Sequence, residues 1–331
     1  MRNGRVPDPM TAKMITHSVG ADAPPLATME LRYWRGIHSE FMTHRVMSRN
    51  ARSSRAVPVP RLIEEVATNP FVPKHWGANQ KGMQAGAEHD GLVLIRKPEI
   101  RQFGNIDYNG IGSEQEIVWS SCPVKREQAW LKARDAAVEV ATALHEAGYH
   151  KQIVNRLLEP FMFIDVLVTS TEWSNFFALR DDPMAEPHIR DLAVEMKEVM
   201  AASTPQFLHP GQWHLPYVGS MLDAPTADHA AMGEWGAVNG RSWTETARAV
   251  SVTRCARISY VPFHGESGDI ASEVARHDAL VSARPCHSSP LEHQATPDVL
   301  DEDGLAWERP DLHGNLRGWQ QYRKMVPGES A

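Results

Sequence analysis

The run Leu26-Ala27-Thr28-Met29-Glu30-Leu31-Arg32-Tyr33-Trp34 alternates, with Met29, Leu31 and Tyr33 on one side and Thr28, Glu30 and Arg32 on the other. A period of two with one apolar side is the pattern of a half-buried strand. Gly36 breaks the alternation, and Ile37, Phe41 and His44 then recur at helical spacing, so residues 37–47 read as a helix. This strand followed by a helix sets the class as α plus β.

Downstream of that pair, residues 49–55 show no apolar period, and Pro58 and Pro60 bar immediate continuation of a helix, so the stretch reads as a functional loop. Residues 69–122 are rich in Gly, Pro and Asn with short apolar runs and read as irregular chain. From 123 to 147, Trp130, Ala133, Ala137, Val140 and Leu144 repeat at spacings of three and four, an amphipathic helix with its stripe in the core. Residues 161–168 are short and apolar, a strand by first choice, with a buried helix as the alternative. Thr169 and Glu172 have capping-box spacing ahead of Trp173, Phe176, Phe177 and Arg180, opening a helix that Pro183 stops. Further helices are expected over 187–201, with Ile189, Leu192, Met196 and Val199 inward, then over 244–258 and 269–281. The Pro/Gly/His-rich stretch 205–216 lies between them, and a loop begins at Pro285. The tail 301–331 is charged and Pro/Gly-rich, yet Gly318-Trp319-Gln320-Gln321-Tyr322 is too aromatic for a simple disordered end.

At 331 residues the chain can bury a large core without staples, and its three cysteines, Cys122, Cys255 and Cys286, fit neither a disulfide framework nor paired zinc knuckles. A reducing cytoplasm is the expected compartment. Residues 1–9 lack the apolar core of a signal peptide, and no stretch approaches the roughly 18 apolar residues of a membrane span. A net charge of -7 argues against coating a nucleic-acid polymer, while a local arginine cluster still suits one phosphate. A mononucleotide fits that balance.

Chemistry concentrates in three clusters. The first, His44-Arg45-Val46-Met47-Ser48-Arg49-Asn50-Ala51-Arg52-Ser53-Ser54-Arg55, packs four arginines, three serines and an asparagine into twelve residues, a dense donor array for phosphate and base oxygens or a solvated basic loop. Its His-Arg-x-x-Ser-x-Asn-x-x-Ser-x-Arg pattern resembles the signature of the flavin-dependent thymidylate synthases, with Thr43 where that family starts on Arg and Ala51 where it often has Glu. The second, Asn175-Phe176-Phe177-Ala178-Leu179-Arg180, resembles that family's late Asn-Phe-Leu-x-Leu-Arg segment, and Arg156-Leu157-Leu158-Glu159-Pro160 resembles its nucleotide-binding Arg-x-x-x-Pro. Taken alone, Trp173, Phe176 and Phe177 read as core and Arg180 as a helix-end cation. The third, His287-Ser288-Ser289-Pro290-Leu291-Glu292-His293, resembles the flavin-binding His-x-Ser-Pro-Phe-Glu-His, and Arg254-Cys255-Ala256-Arg257-Ile258-Ser259-Tyr260 resembles the family's Ala-Ala-Arg-Val-Ser-Tyr.

In the family these last two pieces come first, so the resemblance implies a circular permutation: a core over 1–220, a flavin segment over 221–298 completing the same domain, and a tail over 299–331. It further implies an α+β fold, a mixed or antiparallel sheet flanked by helices, assembled as a homotetramer. The implied reaction converts dUMP to dTMP with FAD, methylenetetrahydrofolate and NADPH. By the same resemblance His44, Arg45, Val46, Asn50, Asn175, Leu179, His287, Ser288, Ser289 and Glu292 would contact FAD. Ser53, Ser54, Arg55, Arg156 and Arg180 would hold the deoxynucleotide, with Arg180, Ser53 and Arg55 closest to the chemistry. Glu40 stands where the family has Gln toward the nucleotide. Related readings are methyl or hydroxymethyl transfer to dCMP or dUMP, and a non-catalytic nucleotide- or flavin-binding relic. Two competing readings stay minor: Cys286 as a thiolate nucleophile beside His287, and Cys286, His287 and His293 as metal ligands lacking a fourth partner of suitable spacing. No Walker or G-x-G-x-x-G motif follows a strand, which disfavours a Rossmann flavoenzyme.

Overall fold

The computed structural model describes residues 10–103, 114–219, 226–259 and 268–329. In chain order the strands are β1 (Thr11–Val19), β2 (Leu26–Trp34), β3 (Ser48–Ala51), β4 (Val93–Phe103), β5 (Glu114–Val124), β6 (Phe163–Ser170), β7 (Gln206–Phe207), β8 (Ala295–Pro297) and β9 (Trp319–Gln321). The helices are α1 (His38–Phe41), α2 (Val59–Thr68), α3 (Arg126–Glu146), α4 (Lys151–Val154), α5 (Ser174–Arg180), α6 (Pro187–Ala201), α7 (Ala227–Asn239), α8 (Trp243–Arg257) and α9 (Ile270–Ser282). The molecule is therefore mixed α and β.

A five-stranded sheet in the order β3-β6-β2-β1-β7 organises the rest, antiparallel except where β7 joins β1. The alternation of β2 decides what each face does. Met29, Leu31 and Tyr33 pack with Ile164, Val166 and Val168 of β6 against Phe176 of α5 and Ile189, Leu192 and Met196 of α6. Each such side chain contributes about 1.5–3 kcal/mol on burial. On the other face, Leu167 packs against Cys255 and Ile258 at the end of α8. Covered on both sides, β6 is buried along its whole length, which is why residues 161–168 are apolar apart from Asp165, whose carboxylate pairs with Arg32.

Several expectations are corrected. Residues 37–47 do not form one helix: a 3-10 turn, Arg35–Ile37, and the short α1 end at Phe41. Arg49 donates to the carbonyls of Phe41 and His44, occupying acceptors that a continuing helix would use, and the chain turns back into β3. The segment 49–55 is accordingly not all loop, since Ser48–Ala51 pairs with β6, Ser48 opposite Thr169. No helix continues through Pro58, since Val57 and Pro58 are extended, but the pair also starts the next one: Pro58 is the N-cap of α2 and Pro60 sits in its first turn, where no backbone donor is needed. The stretch 69–122 contains most of a two-stranded ribbon, β4 with β5. Thr169 lies within β6 rather than capping α5, and Ser170 Oγ takes the backbone N–H of Glu172. In α3 the inward stripe runs through Trp130, Ala137, Ala141 and Leu144, while Val140 is half exposed. The aromatic run of the tail is ordered as β9, paired with β8.

A polar chain crosses the second sheet face. Ser18 Oγ hydrogen-bonds with His214 Nδ1 at 2.8 Å, His214 Nε2 with Thr28 Oγ1 at 2.8 Å, Thr28 Oγ1 with Thr169 Oγ1 at 2.6 Å, and Thr169 Oγ1 with His293 Nδ1 at 2.8 Å. Burial pushes both histidines down to about 3. They are neutral rings that fix β1, β2 and β6 to the loop carrying His293.

Candidate active site

The turn after β2 brings His44 against α5. His44 is 6% exposed and stands edge-on to Phe176, with ring centroids 4.9 Å apart. Arg180, in the last turn of α5, donates its Nε–H to His44 Nε2 at 3.0 Å and a terminal N–H to Thr43 Oγ1 at 3.2 Å. Burial, then the nearby Arg180 and Arg49 charges, lower the pKa of His44, so the ring accepts rather than donates here. Thr43, standing where an arginine was the expected residue, thus serves as an acceptor for Arg180. The backbone oxygen of Glu40 also faces Arg180, at 3.4 Å, while the Glu40 carboxylate takes the Ser39 hydroxyl. Arg45, Val46, Asn175 and Leu179 are exposed around this pair.

The loop 287–293 approaches the same turn from the other side. The Glu292 carboxylate pairs with Arg323. Burial raises the Glu292 pKa, opposed by Arg323, Ser48 and Arg49. Gln321 Nε2 ties the segments together, donating to the Glu292 carbonyl at 2.9 Å, to Asn315 Oδ1 at 2.9 Å and to Ser48 Oγ at 3.3 Å. Asn315 in turn donates to the Val46 carbonyl at 3.0 Å. His287 and Ser289 are exposed and Ser288 is half-buried. The structure therefore brings segments 44–50, 175–180 and 287–293 together within one chain.

A second group lies along the chain after β3. Ser54 is buried and donates to Glu159 Oε1 at 2.6 Å, and Arg156 donates to the same oxygen at 2.7 Å. Arg35 pairs with Glu159 at 3.4 Å. Ser53 is held through its backbone N–H on the Ser259 carbonyl, and Arg55 is exposed with no ion pair among the described residues. His38 lies between the groups: it hydrogen-bonds with the Tyr33 hydroxyl at 2.9 Å, and burial with the Arg35 and Arg49 charges pushes it down to about 4.

Not every expected residue points outward. Asn50 is 4% exposed and its amide donates to the Cys255 carbonyl, so it joins β3 to α8. Arg254 is buried between Asp228 and Glu273, at 2.6 and 3.0 Å, and Tyr260 lies outside the described residues. His38, Arg49, Asn315, Gln321 and Arg323 are the participants that sequence reasoning missed. Arg49 lay inside the first cluster and could have been singled out as a donor, and the aromatic 318–322 run was the one hint of an ordered tail.

No family model matches this sequence, and no curated protein matches it. Among solved structures, the chain is similar to a UMP/dUMP methylase, PolB from Streptomyces cacaoi bound with 5-Br UMP, at 15% identity and a TM-score of 0.39, covering 58% of this chain and 89% of that one. It is also similar to the flavin-dependent thymidylate synthase ThyX from Helicobacter pylori complexed with FAD and dUMP, at 18% identity and a TM-score of 0.31, covering 53% of this chain and 67% of that one. Likeness at this level does not assign the chain to a family.

Proposed function

We propose that this chain binds FAD and a pyrimidine deoxynucleotide around the Arg180–His44 pair and catalyses reductive methylation of dUMP to dTMP, with methylenetetrahydrofolate and NADPH as co-substrates. The observation that carries this reading is the convergence of three segments, 44–50, 175–180 and 287–293, joined by the Arg180–His44 hydrogen bond and by Gln321, which donates to both Ser48 and the Glu292 carbonyl. The motif resemblance places cofactor contacts in all three segments.

The residues present suit a flavin. Met42, Val46 and Leu179 are 44%, 43% and 53% exposed on the turn and helix that carry His44 and Arg180, giving apolar surface for a planar ring beside cations for a pyrophosphate. Bound FAD would carry hydride to the base, chemistry that belongs to the cofactor. The chain's own part is position and charge. Arg45, His287, Ser288 and Ser289 offer donors at the rim, while Glu292, fixed by Arg323, is tied to Ser48 through Gln321. Asn50 acts from beneath by seating β3. Arg180 and Arg55 supply cations to the nucleotide, and Arg156 joins them by exchanging part of its pairing with Glu159. Ser53 offers a hydroxyl, whereas Ser54 fixes the local turn through Glu159. The apolar side chains left open here suit cover by another copy, in keeping with a homotetramer.

The purified protein should therefore be yellow. Absorbance in the flavin bands, followed by release and chromatography, identifies FAD, and rescue of a thymidine auxotroph tests turnover. A colourless protein that also fails to bind added FAD sinks the reading.

A further inference from the structure

At the Arg32 end of the second sheet face lies a cavity of about 400 Å³, within the range of roughly 300–1,000 Å³ usual for small-molecule sites. It shares no residue with the site described above. Its carboxylates are already committed: Glu65 accepts two hydrogen bonds from Arg52 at 2.7 and 2.8 Å, Asp165 pairs with Arg32 at 2.9 Å, and Glu30 accepts from the Tyr217 hydroxyl. Two cations are not committed. Lys13 on β1 and Arg61 on α2 line the cavity, are exposed, and form no hydrogen bond or ion pair among the described residues. The uncommitted charge is thus positive, although carboxylates share the walls.

Three residues of its lining, Arg32, Arg52 and Asp165, carry unmet polar atoms. Arg52 and Asp165 are 3% and 4% exposed, and Arg52 Nε, Arg32 Nε and Asp165 Oδ2 are buried without a hydrogen-bond partner. Asp165 Oδ2 has only the charge of Arg52, 3.5 Å away. Buried polar atoms are as a rule met by protein, water or a ligand. Two donors beside an acceptor are matched by a hydroxyl, which can both accept and donate.

We propose that this cavity binds a small hydroxyl-bearing phosphate monoester, its phosphate between Lys13 and Arg61 and its hydroxyls toward Arg32, Arg52 and Asp165. A phosphate monoester carries about two negative charges near neutral pH, which the two free cations balance. Neither the flavin nor the dUMP reading enters this argument.

Titration calorimetry of the full chain with ribose 5-phosphate, inorganic phosphate and ribose tests the proposal. Ribose 5-phosphate should bind more tightly than either control, and the exposed-site double variant K13A/R61A should weaken it by roughly tenfold or more. Arg55→Ala, at the other site, should leave that affinity unchanged. Absence of ribose 5-phosphate binding at millimolar concentration overturns the proposal, as does unchanged affinity in K13A/R61A. Inorganic phosphate binding as tightly as ribose 5-phosphate overturns the monoester assignment, and loss of binding in Arg55→Ala moves the ligand to the other site.

Discussion

Arg180 donates its Nε–H to His44 Nε2, so the last turn of α5 and the turn after β2 are joined by a bond that exists only while His44 is neutral. The same guanidinium reaches Thr43 and the Glu40 carbonyl, a planar fork that a point charge does not reproduce. Arg180→Lys keeps the charge and loses that geometry. It should cost about 1–3 kcal/mol of stability, and FAD affinity should fall with it. Equal urea midpoints and equal flavin titrations for the variant and the native chain would remove Arg180 from the site.

The buried chain from Ser18 to His293 makes stability depend on pH. His214 and His293 are held down to about 3 by burial, against an ordinary value near 6.5. Below about 6.5 the unfolded chain takes up protons that the folded rings refuse, so stability falls as pH drops from there toward 3. The slope approaches about 1.4 kcal/mol per pH unit for each histidine. Urea midpoints measured from pH 7 to pH 4 should decline, and H214Q/H293Q should flatten the decline. A native chain equally stable at both ends of that range contradicts the buried neutral pair.

How much was legible in the sequence follows from what each element packs against. β2 and α6 were read with the bounds they have, because one face of each meets a core that imposes its period on Met29, Leu31 and Tyr33 or on Ile189, Leu192 and Met196. The β4–β5 ribbon was missed since no core imposes alternation on it: Leu94, Ile117 and Trp119 are each more than 60% exposed. In the candidate site, the cationic and histidine motifs showed as donors at fixed spacing. Gln321 and Asn315 did not, because they meet Ser48 only through folding, 273 and 267 residues away.

Arg254 lies within a segment read as resembling a flavin-site motif, yet its guanidinium is 1% exposed and spent on Asp228 and Glu273. Arg254→Leu strands two carboxylates beside the well-buried α8 and should destabilise by about 3–5 kcal/mol. Thermal or urea unfolding measures the loss. A variant as stable as the native chain, with altered flavin binding, would instead return Arg254 to the cofactor site.

The cysteines separate the hydride reading from the thiolate one. Cys255 is fully buried, its thiol pushed well up by desolvation, while Cys286 is half-buried and directs its Sγ to the Leu280 carbonyl at 3.7 Å. Cys286→Ala should retain most turnover, and mild alkylation of the folded protein should spare Cys255. Complete loss of activity in Cys286→Ala with FAD still bound would favour a nucleophilic cysteine.

Gln321 tests whether the tail belongs to the site. It is 1% exposed, and its one amide nitrogen serves Ser48, Asn315 and the Glu292 carbonyl, the three groups that hold β3, the tail and the loop 287–293 in register. Gln321→Ala leaves these acceptors short of a donor in a buried setting, at about 1–3 kcal/mol. The damage should be local, because Trp319 still packs with Leu26 and Leu316 in its own cluster and β9 keeps its backbone pairing with β8. Hydrogen exchange should therefore quicken for the amides of Leu291 and its neighbours while those of β2 and β6 stay protected. Flavin affinity should drop in the same variant, since the loop would no longer be pinned against Ser48. Unchanged exchange in that loop, or quickening spread evenly over β2 and β6, would show that Gln321 does not position it.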